Sequence, residues 1–350
     1  VCMMCHKWMI IFTINQTVDF MNENRKYTSV FAPYLERFVA MKDAGGLSPR
    51  SGLYDALRLF DRFATQESIP NVELRAETIA HWVEKTMSGN KPATIYEKIS
   101  AIGQFCKYLI RLGIKCEVPA YPRKPKKTYT PYIYSREEIQ KIFRAADALR
   151  LGSLRYHSVI FSVPVLLRLL YSTGMRIGEA CSLKNSDVDI QTGKITVRNT
   201  KNRQERLLPI IPTLQYAVTQ YLDYRRKLPV KNIDNPDSYF LVNLRGDRLH
   251  PSCIGAWFHK ILRDADIKYI PGIGPRIHDL RHTFAVHALD RMAKEGRDVY
   301  CILPVLSVAL GHKCVTDTEY YVRITNQAYP DFSELTTPIS EYVFPTIKTI

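Results

Sequence analysis

No run in this sequence comes near the roughly eighteen consecutive apolar residues that a membrane-crossing helix needs, so no membrane partner is expected. Acidic residues are the scarcer charge: 34 Asp and Glu stand against 49 Lys and Arg over 350 residues, a formal net charge of +15. Such an imbalance favours a polyanionic partner, and it is shared by nucleic-acid-binding proteins and proteins that rest on anionic surfaces. Disorder is excluded by a hydrophobic content of 46%. A disulfide framework is also missing. The 8 cysteines (Cys2, Cys5, Cys106, Cys116, Cys181, Cys253, Cys301 and Cys314) are scattered through apolar stretches, and a chain of this length buries a core without staples. Reduced thiols in a cytoplasmic protein are therefore expected. Cys2-Met3-Met4-Cys5-His6 spells the C-x-x-C-H of haem attachment, but that chemistry needs export. Lys7 precedes only the short apolar run Trp8 to Ile14, with no small-residue cleavage site, so we expect neither haem nor any other cofactor. The chain begins with Val, and residues 1–20 are expected to be an over-extended translation start ahead of Met21. Internal repeats and low-complexity tracts are absent.

What is present divides into an all-α part, a basic connection and a mixed part. Residues 21–116 carry four helical stripes: Phe31, Leu35, Phe38 and Val39, capped by Thr28 or Ser29 and closed by Gly45-Gly46; Leu53, Leu57, Phe60 and Ala64; Ile79, Trp82, Val83 and Met87; and Ile95, Ile99, Ile102, Cys106, Leu109 and Ile110, opened by Pro92 and stopped by Gly113. Residues 117–134 are rich in proline and basic residues. Arg123, Lys124, Lys126 and Lys127 have no acidic neighbour, which suits a segment lying along phosphates. Beyond it, residues 135–328 open with a capping box at Ser135 to Glu138. They alternate helices with a small β-region: a hairpin from Lys194 to Ile210, a short strand at Tyr239 to Asn243, and helices at Pro251–Ala265, His278–Ala293 and Leu303–Leu310. Arg245-Gly246-Asp247 reads as a plain turn. The fold class is mainly α with a small β-region.

Four constellations in the second part carry chemistry. Thr173-Gly174-Met175-Arg176-Ile177-Gly178-Glu179 ends an apolar helix and lets a guanidinium project from a turn. Lys201 sits at the tip of the hairpin. His278-Asp279-Leu280-Arg281 places imidazole and guanidinium on one helical face. Leu310-Gly311-His312 is followed, nine residues on, by Tyr321. Singly these are weak, since a turn arginine, a hairpin lysine or one tyrosine among 21 is ordinarily structural.

Together they resemble the tyrosine recombinases, or phage integrase family, in detail from about Ser135 to Ile324. Thr-Gly-x-Arg-x-x-Glu, the hairpin lysine followed by Glu205-Arg206-Leu207-Leu208-Pro209, His-x-Leu-Arg-His, and Leu-Gly-His followed by Thr-x-x-Tyr occur in family order. The resemblance implies a SAM-like core-binding domain (21–116) and a catalytic domain (135–328) closing as a C-shaped clamp on DNA. A tail (329–350) would dock onto a neighbouring protomer. It further implies cutting and rejoining of DNA through a 3′-phosphotyrosyl link, without metal or ATP. Tyr321 would be the nucleophile, selected over Tyr320 by its distance from His312 and Thr318. Arg176 and Arg281 would clamp the non-bridging oxygens, His312 would add a donor and Lys201 would be the general acid. His278 would assist the tyrosine's proton transfer, and Glu179 would orient Arg176. His282 reads as structural or supporting. Two nearby arginines should ease ionisation of the phenol. The implied partners are double-stranded DNA with inverted half-sites, a homo- or hetero-tetramer and sister recombinases, in a nucleoid-associated cytoplasmic protein.

The apolar segment Arg297 to Leu306 is longer than in Xer-type members and points to a mobile element rather than chromosome-dimer resolution. Two other readings stand beside this one: a type IB topoisomerase with the same site, and a DNA-binding regulator without catalysis. A metallonuclease is expected least, because the motifs lack clustered carboxylates.

Overall fold

A computed structural model describes residues 27–45, 52–125, 129–150, 158–198, 205–271 and 273–332. The chain forms two compact units, Val1–Thr128 and Tyr129–Ile350.

In the first unit the four apolar stripes become α1 (Ala32–Ala44), α2 (Gly52–Gln66), α3 (Ala76–Met87) and α4 (Pro92–Arg111). Pro92 at the start of α4 costs nothing there, because a helix's first N–H groups have no intrahelical acceptor. The start of α1 is held differently from expectation. Its N-cap residue, Phe31, makes no side-chain cap. Instead buried Asp61, reaching across from α2, accepts from the backbone N–H groups of Thr28 (2.9 Å) and Ser29 (3.0 Å), and Ser29 Oγ accepts from Phe31 N. The core is aromatic: Phe31, Phe38, Phe60, Phe105 and Trp82 are all but fully buried, with Trp82 edge-on to Phe60 at 5.6 Å. Such tilted and edge-on pairs add to the stabilisation from burial alone. Arg123 and Lys124 lie exposed on the chain leaving this unit. Lys126 and Lys127 lie outside the described residues, as do residues 1–26 with Cys2 and Cys5.

The second unit is tied together from its first residues. Tyr129 donates to Asp279 (2.5 Å), Tyr132 to Glu138 (2.6 Å), and Tyr134 is fully buried, donating to the Arg276 carbonyl (3.1 Å). The capping box then opens α5 (Arg136–Asp147), with Ser135 Oγ accepting from Glu138 N and Glu138 accepting from Ser135 N. Next comes α6 (Val163–Thr173), whose Val163, Val165, Leu166, Leu167, Leu169 and Leu170 are buried on nearly every side, as befits a central helix. A single turn, α7 (Ile177–Ala180), follows it. The three-stranded antiparallel sheet has the order β1 (Val188–Asp189), β2 (Lys194–Val197), β3 (Arg206–Pro209), with Ile195 opposite Leu208 and Val197 opposite Arg206. The hairpin tip with Lys201 lies outside the described residues.

Helices α8 (Pro212–Arg225), α9 (Pro251–Asp264), α10 (Asp279–Lys294), α11 (Val299–Leu310) and α12 (Thr316–Ala328) complete the unit. The expected strand at Tyr239 to Asn243 does not form; Tyr239 and Val242 make isolated bridges to Lys184 and Arg248. Its polar groups are satisfied by side chains instead, since Phe240 O accepts from Tyr221 Oη (3.0 Å) and from Arg225 Nη1 (2.9 Å). Arg245-Gly246-Asp247 is a turn, with Gly246 at φ +84°. Helix α11 begins at Val299, ahead of the expected start at Leu303, because Asp298 caps it, accepting from Tyr300 N at 2.8 Å. No helix among the described residues is long and apolar enough to cross a membrane.

Both α6 and α11 end on a glycine in the left-handed conformation, Gly174 (φ +64°) and Gly311 (φ +65°). A Cβ on Gly174 would run into the Phe284 ring as well as a disfavoured backbone. Gly174→Ala is therefore expected to lower stability by about 2 kcal/mol. The measurement is the denaturant midpoint, read at an unchanged slope.

Candidate active site

Helix ends decide where the arginines sit. The last carbonyls of a helix lack intrahelical partners and carry the negative end of its dipole, so a guanidinium packs well against them. Arg281, in the first turn of α10, uses both ends: Nη1 donates to Gly174 O at the end of α6 (2.7 Å), and Nη2 donates to Leu310 O at the end of α11 (2.7 Å). Burial and the nearby charge of Arg176 push its pKa down to about 10, which leaves it protonated. Arg176, in the turn between α6 and α7, donates from Nη1 to Glu179 (2.9 Å) and reaches Gly311 O from Nη2 (3.5 Å). More than a quarter of its side chain remains accessible to an incoming group.

Glu179 is shared. It accepts from Arg176 N and Nη1 and from a third arginine, Arg206 on β3, whose Nη2 lies 2.7 Å away and whose Nε donates to Ala309 O (2.8 Å). Burial alone would raise the Glu179 pKa, but the hydrogen bonds from Arg206 and Arg176 outweigh it and hold the carboxyl below its ordinary range. The sequence places Arg206 in a return strand and in the family-like run Glu205 to Pro209 but assigns it no role of its own. The signal was there: alternation along Arg206-Leu207-Leu208-Pro209 turns Arg206 and Leu208 to the same inward face, and a buried arginine needs a partner.

The tyrosine end is built on α12. Tyr321 is 3% exposed, Thr318 one turn earlier is fully buried, and Thr318 Oγ1 meets His312 Nδ1 at 2.8 Å. That contact turns the His312 ring parallel to the Tyr321 ring, 6.2 Å apart with 5° between planes. Burial, with Arg281 and Arg176 close by, pushes the His312 pKa down to about 4. Tyr320 is half-buried, with the Arg323 guanidinium 5.3 Å from its ring centre and the Tyr321 ring 6.0 Å away.

Arg281 and Arg176 pull the Tyr321 pKa down, as expected of them, but burial outweighs that pull and leaves it above its ordinary value. His278, at the N-cap of α10, is exposed beside Arg281 and Arg176, and partial desolvation followed by those two positive charges lowers its pKa. The imidazole that meets the Tyr321 hydroxyl is His282, one turn further along, with Nδ1 at 2.9 Å. Arg176, Glu179, Arg281, His312 and Tyr321 thus come together. Asp279 stands apart from the nucleophile, accepting from Tyr129 and from Arg276 N. No group of His, Cys, Asp or Glu suited to a metal occurs among the described residues.

Residues 134–328 match the phage integrase family. Tyrosine recombinase XerC of Bacillus pumilus is 30% identical over 285 residues, covering 79% of this chain and 86% of that protein. An integrase/recombinase of Sinorhizobium fredii, y4rB, is 29% identical over 301 residues, covering 84% of this chain and 93% of its own length. The fold is shared with a lambda integrase tetramer bound to a Holliday junction (TM-score 0.58, 17% identity, 86% of this chain and 80% of that one). It is shared equally with the Tn1549 transposon integrase in complex with transposon right-end DNA (TM-score 0.57, 15% identity, 85% and 99%).

Proposed function

The chain belongs to the phage integrase family and is a tyrosine recombinase, an enzyme of site-specific DNA recombination, and from that premise we propose how its site works and what it serves. Tyr321 Oη attacks the scissile phosphorus and forms a 3′-phosphotyrosyl link, releasing a 5′-hydroxyl. Arg176 and Arg281 hold the non-bridging oxygens in a fork that lysine cannot provide, and His312 adds a third donor. Glu179 keeps Arg176 aimed, and His278 lines the same phosphate site. Lys201, on the hairpin between β2 and β3, protonates the leaving 5′-oxygen. The bond energy is kept in the phosphotyrosyl link, so religation needs no ATP.

The observation that carries this reading is the arrangement around one hydroxyl: Arg281, Arg176 and His312 stand beside Tyr321 on the ends of two helices, so the phosphate's charge meets donors already fixed in place. The all-α unit is the core-binding domain, and Arg123, Lys124, Lys126 and Lys127 follow the DNA backbone. The substrate is duplex DNA with inverted half-sites, engaged by a tetramer that passes through a Holliday junction in the cytoplasm at the nucleoid. A mobile element is the setting we propose, supported by likeness to a transposon integrase and by the apolar segment that became α11.

The test begins with duplexes selected from a random-sequence pool by the native protein. Incubated together and denatured, they should give a covalent protein–DNA band whose nucleotide-bearing peptide contains Tyr321 as the modified residue. Two such duplexes should also exchange strands, which separates recombination from simple relaxation. DNA that binds without any covalent band would overturn the proposal, and modification of Tyr320 would reassign the nucleophile.

A further inference from the structure

We infer that His282 is the catalytic residue that takes the phenolic proton of Tyr321 as the tyrosine attacks, an assignment that rests on Tyr321 being the nucleophile. The geometry is direct. His282 projects from α10 one turn after His278 and places Nδ1 2.9 Å from the Tyr321 hydroxyl on α12. The other groups acting on that hydroxyl are Arg281 and Arg176, which can only donate, and the neighbouring phenol of Tyr320. The phenolic hydrogen therefore finds its acceptor in Nδ1, with the imidazole's own proton on Nε2.

The need for such an acceptor follows from burial. A phenol pushed above its ordinary pKa is mostly protonated near neutral pH, so Tyr321 must lose its proton during the attack rather than before it. His282 is suited to receive it. The ionisable groups facing its ring are His278 and Arg281 on its own helix, His312 after α11, and Tyr321 on α12. Burial first, then His278, Arg281 and His312, push the pKa of His282 down to about 3, so the ring is unprotonated and its lone pair is available. The imidazolium formed in the step would be costly in the DNA-free site. On DNA, the negative charge of the phosphate and of the phosphorane offsets it.

The step balances. The Tyr321 oxygen–phosphorus bond forms, the bond from phosphorus to the 5′-oxygen breaks, the phenolic proton passes to His282 Nδ1, and the leaving 5′-oxygen takes a proton from the general acid. In religation the 5′-hydroxyl attacks, its proton returns to that acid's conjugate base, and the departing phenolate recovers its proton from His282.

The test compares the native protein with His282→Gln and His282→Ala on the duplexes selected by the native protein. Glutamine can still accept a hydrogen bond from Tyr321 but cannot carry the proton away. Single-turnover adduct formation by either variant should be about a hundredfold slower than native, with DNA binding retained. The native rate should be nearly flat between roughly pH 6 and 9, and the variants' rates should climb about tenfold per pH unit, because the tyrosine must then ionise unaided. A more acidic fluorinated tyrosine at position 321 should restore much of the variants' rate, which a residue that merely held the ring in place would not allow. Native pH dependence in His282→Gln, or no recovery with fluorotyrosine, would overturn the assignment of His282 alone. Absence of a Tyr321 adduct in the native protein would instead overturn the reading beneath it.

Discussion

Tyr321→Phe is expected to bind the selected duplexes as the native protein does and to form no denaturant-stable adduct at all. The substitution removes one oxygen and nothing else. The ring keeps its place among Ala285, Val286, Leu289, Leu306 and Ile324 in the core beneath α10, α11 and α12, and stays parallel to His312. The arginines keep their carbonyl acceptors at the ends of α6 and α11, so the phosphate site is undisturbed. The thermodynamic cost is the lost hydrogen bond to His282, about 1 kcal/mol. Tyr320→Phe is the control. Its ring packs by Arg323 and borders Tyr321 at 6.0 Å, but the hydrogen bonds of Tyr321 to His282 and of Arg281 to its carbonyls do not pass through it, so the adduct should persist. Adduct in Tyr321→Phe together with its loss in Tyr320→Phe would reverse the assignment.

Arg206→Met should lower stability at neutral pH by about 3 kcal/mol and slow adduct formation, although Arg206 reaches no phosphate in the proposed mechanism. Methionine keeps much of the volume but none of the hydrogen bonds to Glu179 and Ala309 O. Glu179 would remain buried with Arg176 as its sole charged partner, and the β3 end of the hairpin would lose its anchor to the end of α11. The pH dependence identifies the cause. In the native protein the Glu179 pKa is depressed, so the stability it contributes is present above the ordinary carboxylate pKa of about 4.3 and is lost as pH falls through the depressed value. Without Arg206, burial dominates and the pKa rises above the unfolded value, so the charged carboxyl opposes folding at neutral pH and protonation relieves it. The stability gap between native and variant should therefore narrow on acidification. A gap independent of pH would show that lost packing, not the orphaned carboxylate, sets the cost. Denaturant melts across the acid range measure it.

Much of this was legible in the residues, and the exceptions have physical causes. The four helices of the first unit follow apolar stripes with little polar interruption, and the capping box at Ser135 is local chemistry that nothing distant overrides. Helices α8 and α12 escaped because their buried stripes are not purely apolar. Leu214, Val218, Tyr221 and Arg225 line one, and Thr318, Tyr321, Ile324 and Thr325 line the other. A strand was read at Tyr239 to Asn243 from its apolar run, but a ladder needs a partner strand, and here Tyr221 and Arg225 meet the backbone instead. At the site, spacing identified Arg176, Arg281, His312 and Tyr321 as a group. It could not show which histidine meets the hydroxyl, because His278 and His282 lie one turn apart on α10 and the choice depends on how α12 packs across it.

The glycine-ended helices have a consequence for how such a protein can change over generations. Main-chain carbonyls at Gly174 and Leu310 hold Arg281, and that of Ala309 holds Arg206 beside the Glu179 carboxylate on α7, so no side chain on α6 or α11 encodes these acceptors. Substitutions along those helices that respect packing leave the acceptors untouched. A single-codon insertion or deletion inside either helix does not, because it turns the terminal carbonyls by about 100° and shifts them along the axis. The lengths of α6 and α11 are thus under tighter constraint than their compositions, and lineages of this chain are free to drift in sequence there while remaining fixed in reading length.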